Sequence, residues 1–241
     1  MNIRILTPFP SMCEGILSQS ILGRAQKRGL VKILVLDLRQ WGIGKRNDVD
    51  DAPYGGGPGM VMKVAPYASA LADLRRPYTR TVLMSAQGRP FQHAIAYEYS
   101  LEREIILLCG HYEGVDQRVA DHLVDDVVSI GDYVVTNGVL PALVFVDTVS
   151  RLIPGVLGNS DSIRQDSFIS GLLDHPHYTR PATFQGWKVP SVLLSGNHAK
   201  IRHWRTSAAV ELTRKKRPDL LDLSPSLRRK KGAPSTKQKP P

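Results

Sequence analysis

The sequence predicts an α/β fold, a mostly parallel sheet flanked on both faces by helices, followed by a small helical carboxy-terminal domain. Three observations predict it. Short apolar runs alternate with helix-like segments through residues 1–158, the order that buries a parallel sheet between helices. Glycine-punctuated blocks interrupt those runs where strands would end: PYGGGPGM (53–60), SAQG (85–88), CGHYEGVD (109–116) and SIGDYVVTNG (129–138). Past Gly158 the pattern gives way to a polar stretch and then to helical, basic segments.

Each element has its own signal. Residues 2–6 read as the first strand, and Ser11 with Glu14 three residues on forms a capping-box signature for a helix to about Arg28. Residues 31–38 are a strongly apolar strand. Residues 39–62 make a glycine-rich loop longer than a connector needs, a length usual for functional loops. Residues 65–75 read as helix, 81–85 as strand and 90–100 as helix. Residues 104–109 are a buried strand, 115–123 a helix and 126–130 a short strand. Pro141 opens a long apolar helix to about Ile153. It is apolar around much of its circumference, which predicts a second buried face. Residues 159–170 carry no amphipathic period and read as a flexible linker. Residues 171–224 read as a basic helical domain and 225–241 as a disordered basic tail.

Charge is distributed unevenly. The net charge is +10, from 32 Lys and Arg against 22 Asp and Glu. Residues 200–241 hold 13 basic and 3 acidic residues, the whole of that excess, so the first 199 are neutral with 19 of each sign. A neutral body with a basic end predicts a ligand-binding core with a handle for a polyanion, nucleic acid above all. Between Lys200 and Arg217 the bases alternate with Ile201, Trp204 and Leu212, a binding pattern; residues 228–241 read as a solubilising tail. Pro8 and Pro10 break the stretch a signal peptide needs, and no apolar run is long enough to cross a bilayer. Cys13 and Cys109 make no metal or redox spacing, so a reducing, cytoplasmic setting is expected.

Ligands on parallel sheets sit at the carboxyl ends of strands, which is where the glycine blocks fall. Glycine there lets backbone approach a ligand closely, although each one singly is most simply a turn. Between residues 109 and 141 the acids are Glu113, Asp116, Asp121, Asp125, Asp126 and Asp132, against Arg118 alone. That balance excludes a phosphate cradle and favours a cationic or neutral ligand. No Walker, dinucleotide or nucleophile-elbow motif is present. His175 and His177, set among prolines, read as structural rather than as metal ligands, and no metal site is assigned.

Motifs over nearly all of residues 1–223 occur in one order: PYGGGPGM, CGxYEGVDxRV, SIGDYVV, SRLIPGVLG (150–158), QDSF (165–168), LLDHPHYTRP (172–181) and VPSVLLSGNHAKIRHWR (189–205). Together they closely resemble the bacterial tRNA (guanine-N(1)-)-methyltransferases, members of the knotted SPOUT superfamily. The resemblance implies a deep trefoil knot in the first domain, S-adenosylmethionine bound within it, and a homodimer with composite active sites. It implies methylation of guanosine at position 37 of tRNA, beside the anticodon, with the anticodon stem-loop as partner and no membrane. By motif, cofactor contacts fall to Ser85, Gly88, Gly110, Tyr112, Glu113, Ile130, Gly131, Asp132, Tyr133, Val134, Val135 and Gly138. Asp166 takes the general-base position, on a linker that orders when tRNA binds, and Arg151 the position facing guanine O6. The resemblance also raises magnesium, with Glu113 as the participating carboxylate. Taken without the motif, Asp166 is a solvated loop acid and Arg151 a charge at a helix end.

Some positions depart from the family pattern. His111 stands where Arg is common, Asn137 and Val139 alter a GGE-like stretch, Gln165 replaces an acid, and Ala86 replaces a usual Pro. None removes a residue with an essential chemical role. Two other functions stay open on the residues: a SPOUT methyltransferase with another RNA target, and a non-catalytic RNA-binding protein. Asp166, Arg151 and Glu113 together discriminate against the latter, because a binding module has no need of a base.

Overall fold

Residues Glu104–Cys109 are buried at every position, and they form the central strand of the sheet that organises the first half of the chain. The computed structural model describes residues 1–158 and 166–223, which fall into two compact units divided between residues 160 and 161. The expected tail, and residues 159–165 of the expected linker, lie outside the described residues.

The first unit holds β1 (Asn2–Thr7), β2 (Lys32–Asp37), β5 (Thr79–Pro90), β6 (Glu104–Cys109) and β7 (Asp126–Ser129), in the order β2-β1-β6-β5-β7. Every pairing in this sheet is parallel. Side chains alternate between its faces as the strand period requires. Ile105, Leu107 and Cys109 join Ile3, Ile5, Val82 and Met84 on one side; Ile106 and Leu108 join Leu6 and Leu83 on the other. The first face is covered by α2 (Ser20–Lys27), α4 (His93–Ser100) and α6 (Val139–Ser150), the second by α3 (Val64–Leu74) and α5 (Gln117–His122). Burial on both faces explains why β6 reads as an unbroken apolar run. Its one acid, Glu104, is 3% exposed and is satisfied by Arg4 at 2.7 Å and the Thr79 hydroxyl at 2.6 Å.

Several expectations need correction. The capping box at Ser11 does not form: Pro10 opens a 3-10 turn (Pro10–Cys13) with no side-chain cap. The helix beyond is split into α1 (Glu14–Leu17) and α2. A Cβ at Gly23 would stand 2.2 Å from the Ser18 carbonyl oxygen, so the chain folds tightly on itself at the break. β5 does not end at Ser85. It bulges between Met84 and Arg89, both opposite Val128, and then rejoins the ladder. The long apolar helix begins at Val139, two residues before Pro141, because the Asn137 side-chain oxygen accepts from the Val139 N–H at 2.9 Å. The loop at 39–62 contains a 3-10 turn (Leu38–Trp41) and the antiparallel pair β3 (Asp50–Asp51) and β4 (Val61–Met62).

In the second unit a small antiparallel pair, β8 (Thr183–Phe184) and β9 (Trp187–Lys188), precedes three helices: α7 (Ser191–Leu194), α8 (His198–Lys216) and α9 (Pro218–Leu223). The Asn197 side chain caps α8 by accepting from the Lys200 N–H at 3.1 Å. Among the described residues of this unit only Thr213 is buried. Its hydroxyl accepts from the Leu173 N–H at 2.9 Å and donates to the Ala209 carbonyl at 2.7 Å.

Candidate active site

Three chain segments meet beyond the carboxyl ends of β6 and β7 and beside the bulge in β5. They enclose a cleft of about 190 Å³. Ser85 comes from the bulge; Gly110, Tyr112 and Glu113 follow β6; Ile130, Gly131, Tyr133, Val134, Val135 and Gly138 follow β7. The structure thus brings ten of the twelve expected cofactor residues to one wall. Gly88 and Asp132 are not on it. A Cβ at Gly88 would stand 2.4 Å from the Val128 nitrogen, so this glycine lets the bulged strand pass against β7. Asp132 is exposed. Met84, His111, Val115, Thr136, Asn137 and Pro141 also line the cleft. None was assigned from sequence, although His111, Val115, Thr136 and Asn137 lie inside the glycine blocks.

Backbone proximity shapes the wall. A Cβ on Gly138 would lie 2.8 Å from both the Cys109 Cα and the Gly110 nitrogen, and the Gly138 N–H donates to the Gly110 carbonyl at 2.8 Å. The start of α6 is therefore seated directly against the end of β6, an approach that glycine alone permits. Tyr112 holds φ +59° and Gly131 φ +149°, and both residues line the cleft. A side chain held in the left-handed region is a strained arrangement that concentrates at functional sites. Behind the wall the buried Tyr67 hydroxyl donates to the Cys109 carbonyl at 2.9 Å. Burial, with Cys109 nearby, pushes its phenol up and keeps it a neutral donor.

The PYGGGPGM loop is tied to the same wall. The Glu113 N–H donates to the Met60 carbonyl at 3.0 Å, the Met62 N–H to the Gly114 carbonyl at 2.9 Å, and the Asp116 N–H to the Met62 carbonyl at 2.9 Å. Gly59, at φ +81°, leaves room for the Glu113 carboxylate, whose Oε1 would lie 2.5 Å from a Cβ there.

Electrostatics correct the acidic-cluster expectation. Of the six acids between residues 109 and 141, only Glu113 lines the cleft. Asp125 is paired with Arg75 at 2.5 Å, and Asp126 with Arg89 at 2.7 Å and with the Tyr99 hydroxyl. Asp116 caps α5, and its bond from Arg118 holds its carboxyl below the usual range. Asp121 accepts from Gln117 at 2.8 Å. No Lys or Arg lines the cleft among the described residues. Its one acidic side chain is Glu113, so the wall suits a cation or a neutral ligand better than a phosphate.

Of the three catalytic assignments, Glu113 lines the cleft. Arg151 is the C-cap residue of α6, whose first turn borders the cleft. Thirteen residues of helix put about 20 Å between Gly138 and Arg151, well beyond the reach of an Arg side chain. Asp166 belongs to the second unit, at the start of a turn closed by the Phe168 N–H on the Leu172 carbonyl at 2.7 Å. Its neighbour Ser167 accepts from the Asp174 N–H at 2.9 Å.

A parallel α/β sheet with a glycine-walled cleft at its strand ends defines a cofactor-binding enzyme domain of the open-sheet class. Known proteins narrow this further. A family model described as tRNA (Guanine-1)-methyltransferase TrmD matches residues 1–223. A tRNA (guanine-N(1)-)-methyltransferase of Geobacter sp. (strain M21) is 51% identical over 224 residues, 92% of this chain and 90% of the relative. One from Staphylococcus haemolyticus (strain JCSC1435) is 52% identical over 226 residues, 93% of this chain and 92% of its own length. One from Protochlamydia amoebophila (strain UWE25) is 50% identical over 221 residues, 92% of this chain and all of its own length. The chain belongs to the tRNA (guanine-1)-methyltransferase family, and it is an enzyme. No helix among its described residues is long and apolar enough to cross a membrane.

Proposed function

We propose that this chain transfers the methyl group of S-adenosylmethionine to N1 of the guanosine at position 37 of tRNA, 3′ to the anticodon. The observation that carries it is the cleft wall: glycine backbone, closest at Gly138 where a Cβ would strike the Cys109 backbone, with one carboxylate and, among the described residues, no Lys or Arg. That donor set fits a sulfonium cation, which when bound would supply an electrophilic methyl group. The backbone of Tyr112, Ile130, Gly131, Tyr133 and Val135, with Gly110 and Gly138, would hold it. Glu113, the single carboxylate on the wall among the described residues, is the group that would hold magnesium, with water and phosphate oxygens filling its other positions.

Guanine N1 carries a proton and is a poor nucleophile until that proton leaves. Asp166 would accept it, and the Arg151 guanidinium would face O6, where negative charge gathers as N1 ionises. Arg151 stands a helix length from its own cleft, which favours a site completed by a second subunit. Leu140 and Val144, 44% and 45% exposed on one stripe of α6, offer apolar surface to a homodimer. The chain leaves β7 at the sheet edge yet returns at Gly138 to the end of the central strand, so that α6 packs beneath β6 and β1. This threading is the feature we read as the trefoil knot. Lys200, Arg202 and Arg205, exposed on α8, would meet tRNA phosphates. The cytoplasm is the compartment in which unmodified tRNA is met.

Methyl transfer from labelled cofactor to unmodified tRNA, followed by nucleoside mapping, tests this directly. Label in 1-methylguanosine, lost when position 37 is changed to adenosine, is the expected result. Tight tRNA binding without transfer would leave a binding protein and sink the proposal. The shared site is tested by mixing an Asp166→Ala chain with a Gly131→Trp chain: heterodimers should regain part of the activity, and an active monomer would exclude sharing.

A further inference from the structure

Three side chains of types that ligate metals converge in the second unit at a place given no role in the methyl transfer proposed above. Asp174, His175 and His177 each offer a ligand atom, and these atoms all lie within 4.8 Å of one another. His177 Nε2 stands 2.8 Å from one Asp174 carboxylate oxygen, and His175 Nε2 stands 3.8 Å from the other. His175 Nδ1 lies 3.1 Å from the Pro176 carbonyl oxygen. A carbonyl can only accept, so the Nδ1 side of the ring is the donor there and Nε2 is the ring atom turned toward Asp174. An imidazole whose outer nitrogen donates to a backbone carbonyl is also the usual setting of a metal-bound histidine.

The rest of the geometry is consistent with a built site. Asp174 is held on both sides: its N–H donates to Ser167 Oγ at 2.9 Å, and its Oδ1 accepts from the His175 N–H at 2.7 Å. His175 is 11% exposed and His177 71% exposed, so the cluster is closed on one side and open to water on the other. Tetrahedral zinc with ligands at about 2.1 Å needs ligand atoms about 3.4 Å apart, within small side-chain adjustments of what is seen.

We propose that Asp174, His175 and His177 bind a divalent transition metal of the zinc class, with water completing the coordination. Two imidazoles and one carboxylate suit zinc rather than magnesium or calcium. Bound metal would fix the Asp174 end of the contact to Ser167, and so the turn that carries Asp166. That consequence rests on the role proposed for Asp166; the binding does not.

The test uses the full-length, untagged chain, stripped with a chelator and dialysed against zinc chloride at neutral pH. One zinc per chain at micromolar free metal is expected, with cobalt(II) giving the visible bands of a low-coordinate site. His175→Gln and His177→Gln should each weaken zinc by more than about 100-fold, since even the outer partners of metal ligands are worth 10–100-fold. His198→Gln should bind as the parent does. Should a variant fail to fold, the imidazole nitrogen resonances of the unaltered protein provide a second readout: two rings shift on adding zinc. Hydrogen exchange over residues 166–174 should slow with zinc present. Absence of zinc binding, zinc retained by the double histidine variant, or cluster histidines that only protonate would overturn the site. None of these outcomes bears on methyl transfer, which is measured separately.

Discussion

In the first unit Ile3, Ile5, Leu107 and Phe145 are fully sealed on one face of a sheet and Leu6, Ile106 and Leu108 on the other, whereas among the described residues of the second only Thr213 is buried. The first unit closes on itself around its sheet and bears the glycine-walled cleft at the strand ends. The second leaves Phe184, Trp187 and Leu194 more than half exposed, and its basic helix presents Lys200, Arg202 and Arg205 to solvent. Apolar surface left open in this way marks a place where something else binds. The contrast is between a unit with a sealed core and one that leaves most of its surface open. Under the function proposed here, cofactor affinity belongs to the first unit, while proton removal and tRNA affinity belong to the second.

The sharpest way to break that division is Asp166→Ala. Turnover should fall by about 10²–10⁴-fold, the usual worth of a positioned base, while cofactor affinity, measured by calorimetry, stays at the parent value. Asp166→Asn should be as slow, because an amide keeps the shape but cannot take the proton. Single-turnover rates near the parent's in either variant would remove Asp166 from the chemistry, and lost cofactor binding would merge the two tasks.

Next in size is a test of where stability resides. The Phe145 ring stacks on Phe91 at 5.1 Å and meets Tyr99 edge-on at 4.8 Å, all in the core of the first unit. Phe145→Ala should cost about 3–5 kcal/mol and lower the main thermal transition. Trp204, half-buried in the second unit with ring neighbours at 6.2 and 6.3 Å, should leave that transition within about 0.5 kcal/mol when replaced by Ala. Comparable losses from both would mean that the units melt as one.

A smaller effect is expected on tRNA affinity. Arg214 and Arg217 are held by Glu211 and Asp219, each at 2.6 Å, so the bases toward the start of α8 are the more available ones. Replacing Lys200, Arg202 and Arg205 with Ala should weaken binding and lower the salt slope by about 2–3, since each phosphate contact contributes roughly 0.7–0.9. Truncation after Ser224 should change the slope less. A larger loss from truncation would reverse the assignment of binding helix and solubilising tail.

How legible each unit was in the sequence follows the same division. The EIILLC run (104–109) announced a strand buried on both faces, and the alternation around it gave the parallel sheet. Glycine blocks marked the cleft because few other features explain glycine at strand ends. Spacing alone could not reveal what each glycine touches: Gly88 serves the bulge beside Val128, while Gly138 seats a helix against Cys109, 29 residues earlier in the chain. The acidic stretch misled for the same reason. Arg75 and Arg89, which neutralise Asp125 and Asp126, lie 50 and 37 residues upstream, so a local charge count missed them. The helix break at Ser18 was invisible because Gly23 and Ser18 meet only once the chain has folded. In the second unit, histidines two apart fit no common zinc motif, and the approach of both rings to the Asp174 carboxylate appears only in the folded chain.

The smallest effect, and the one confined most cleanly to the first unit, concerns pH. Both cysteines lie there, fully buried, and the second unit has none. Burial, joined by the charge of Glu14, raises the Cys13 thiol to about 11 from an ordinary value of 9.0. Burial, joined by Cys13, raises Cys109 as well. The unfolded chain therefore releases thiol protons from about pH 9 upward, while the folded chain keeps that of Cys13 until about pH 11. Stability from this source is complete below pH 9 and declines as pH rises toward 11. At an intermediate pH, one unit of that shift corresponds to about 1 kcal/mol. Tyr67 and Tyr99, also raised by burial, add to the same decline, so the thiol part is isolated by comparison with a Cys13→Ala/Cys109→Ala chain. Urea unfolding followed from neutral pH to alkaline pH should show a shallower loss in the double variant than in the parent. Signals from Trp204, in the second unit, should respond alike in both. Equal slopes for the two chains in the first-unit transition would mean that the thiols are not protected by the core around them.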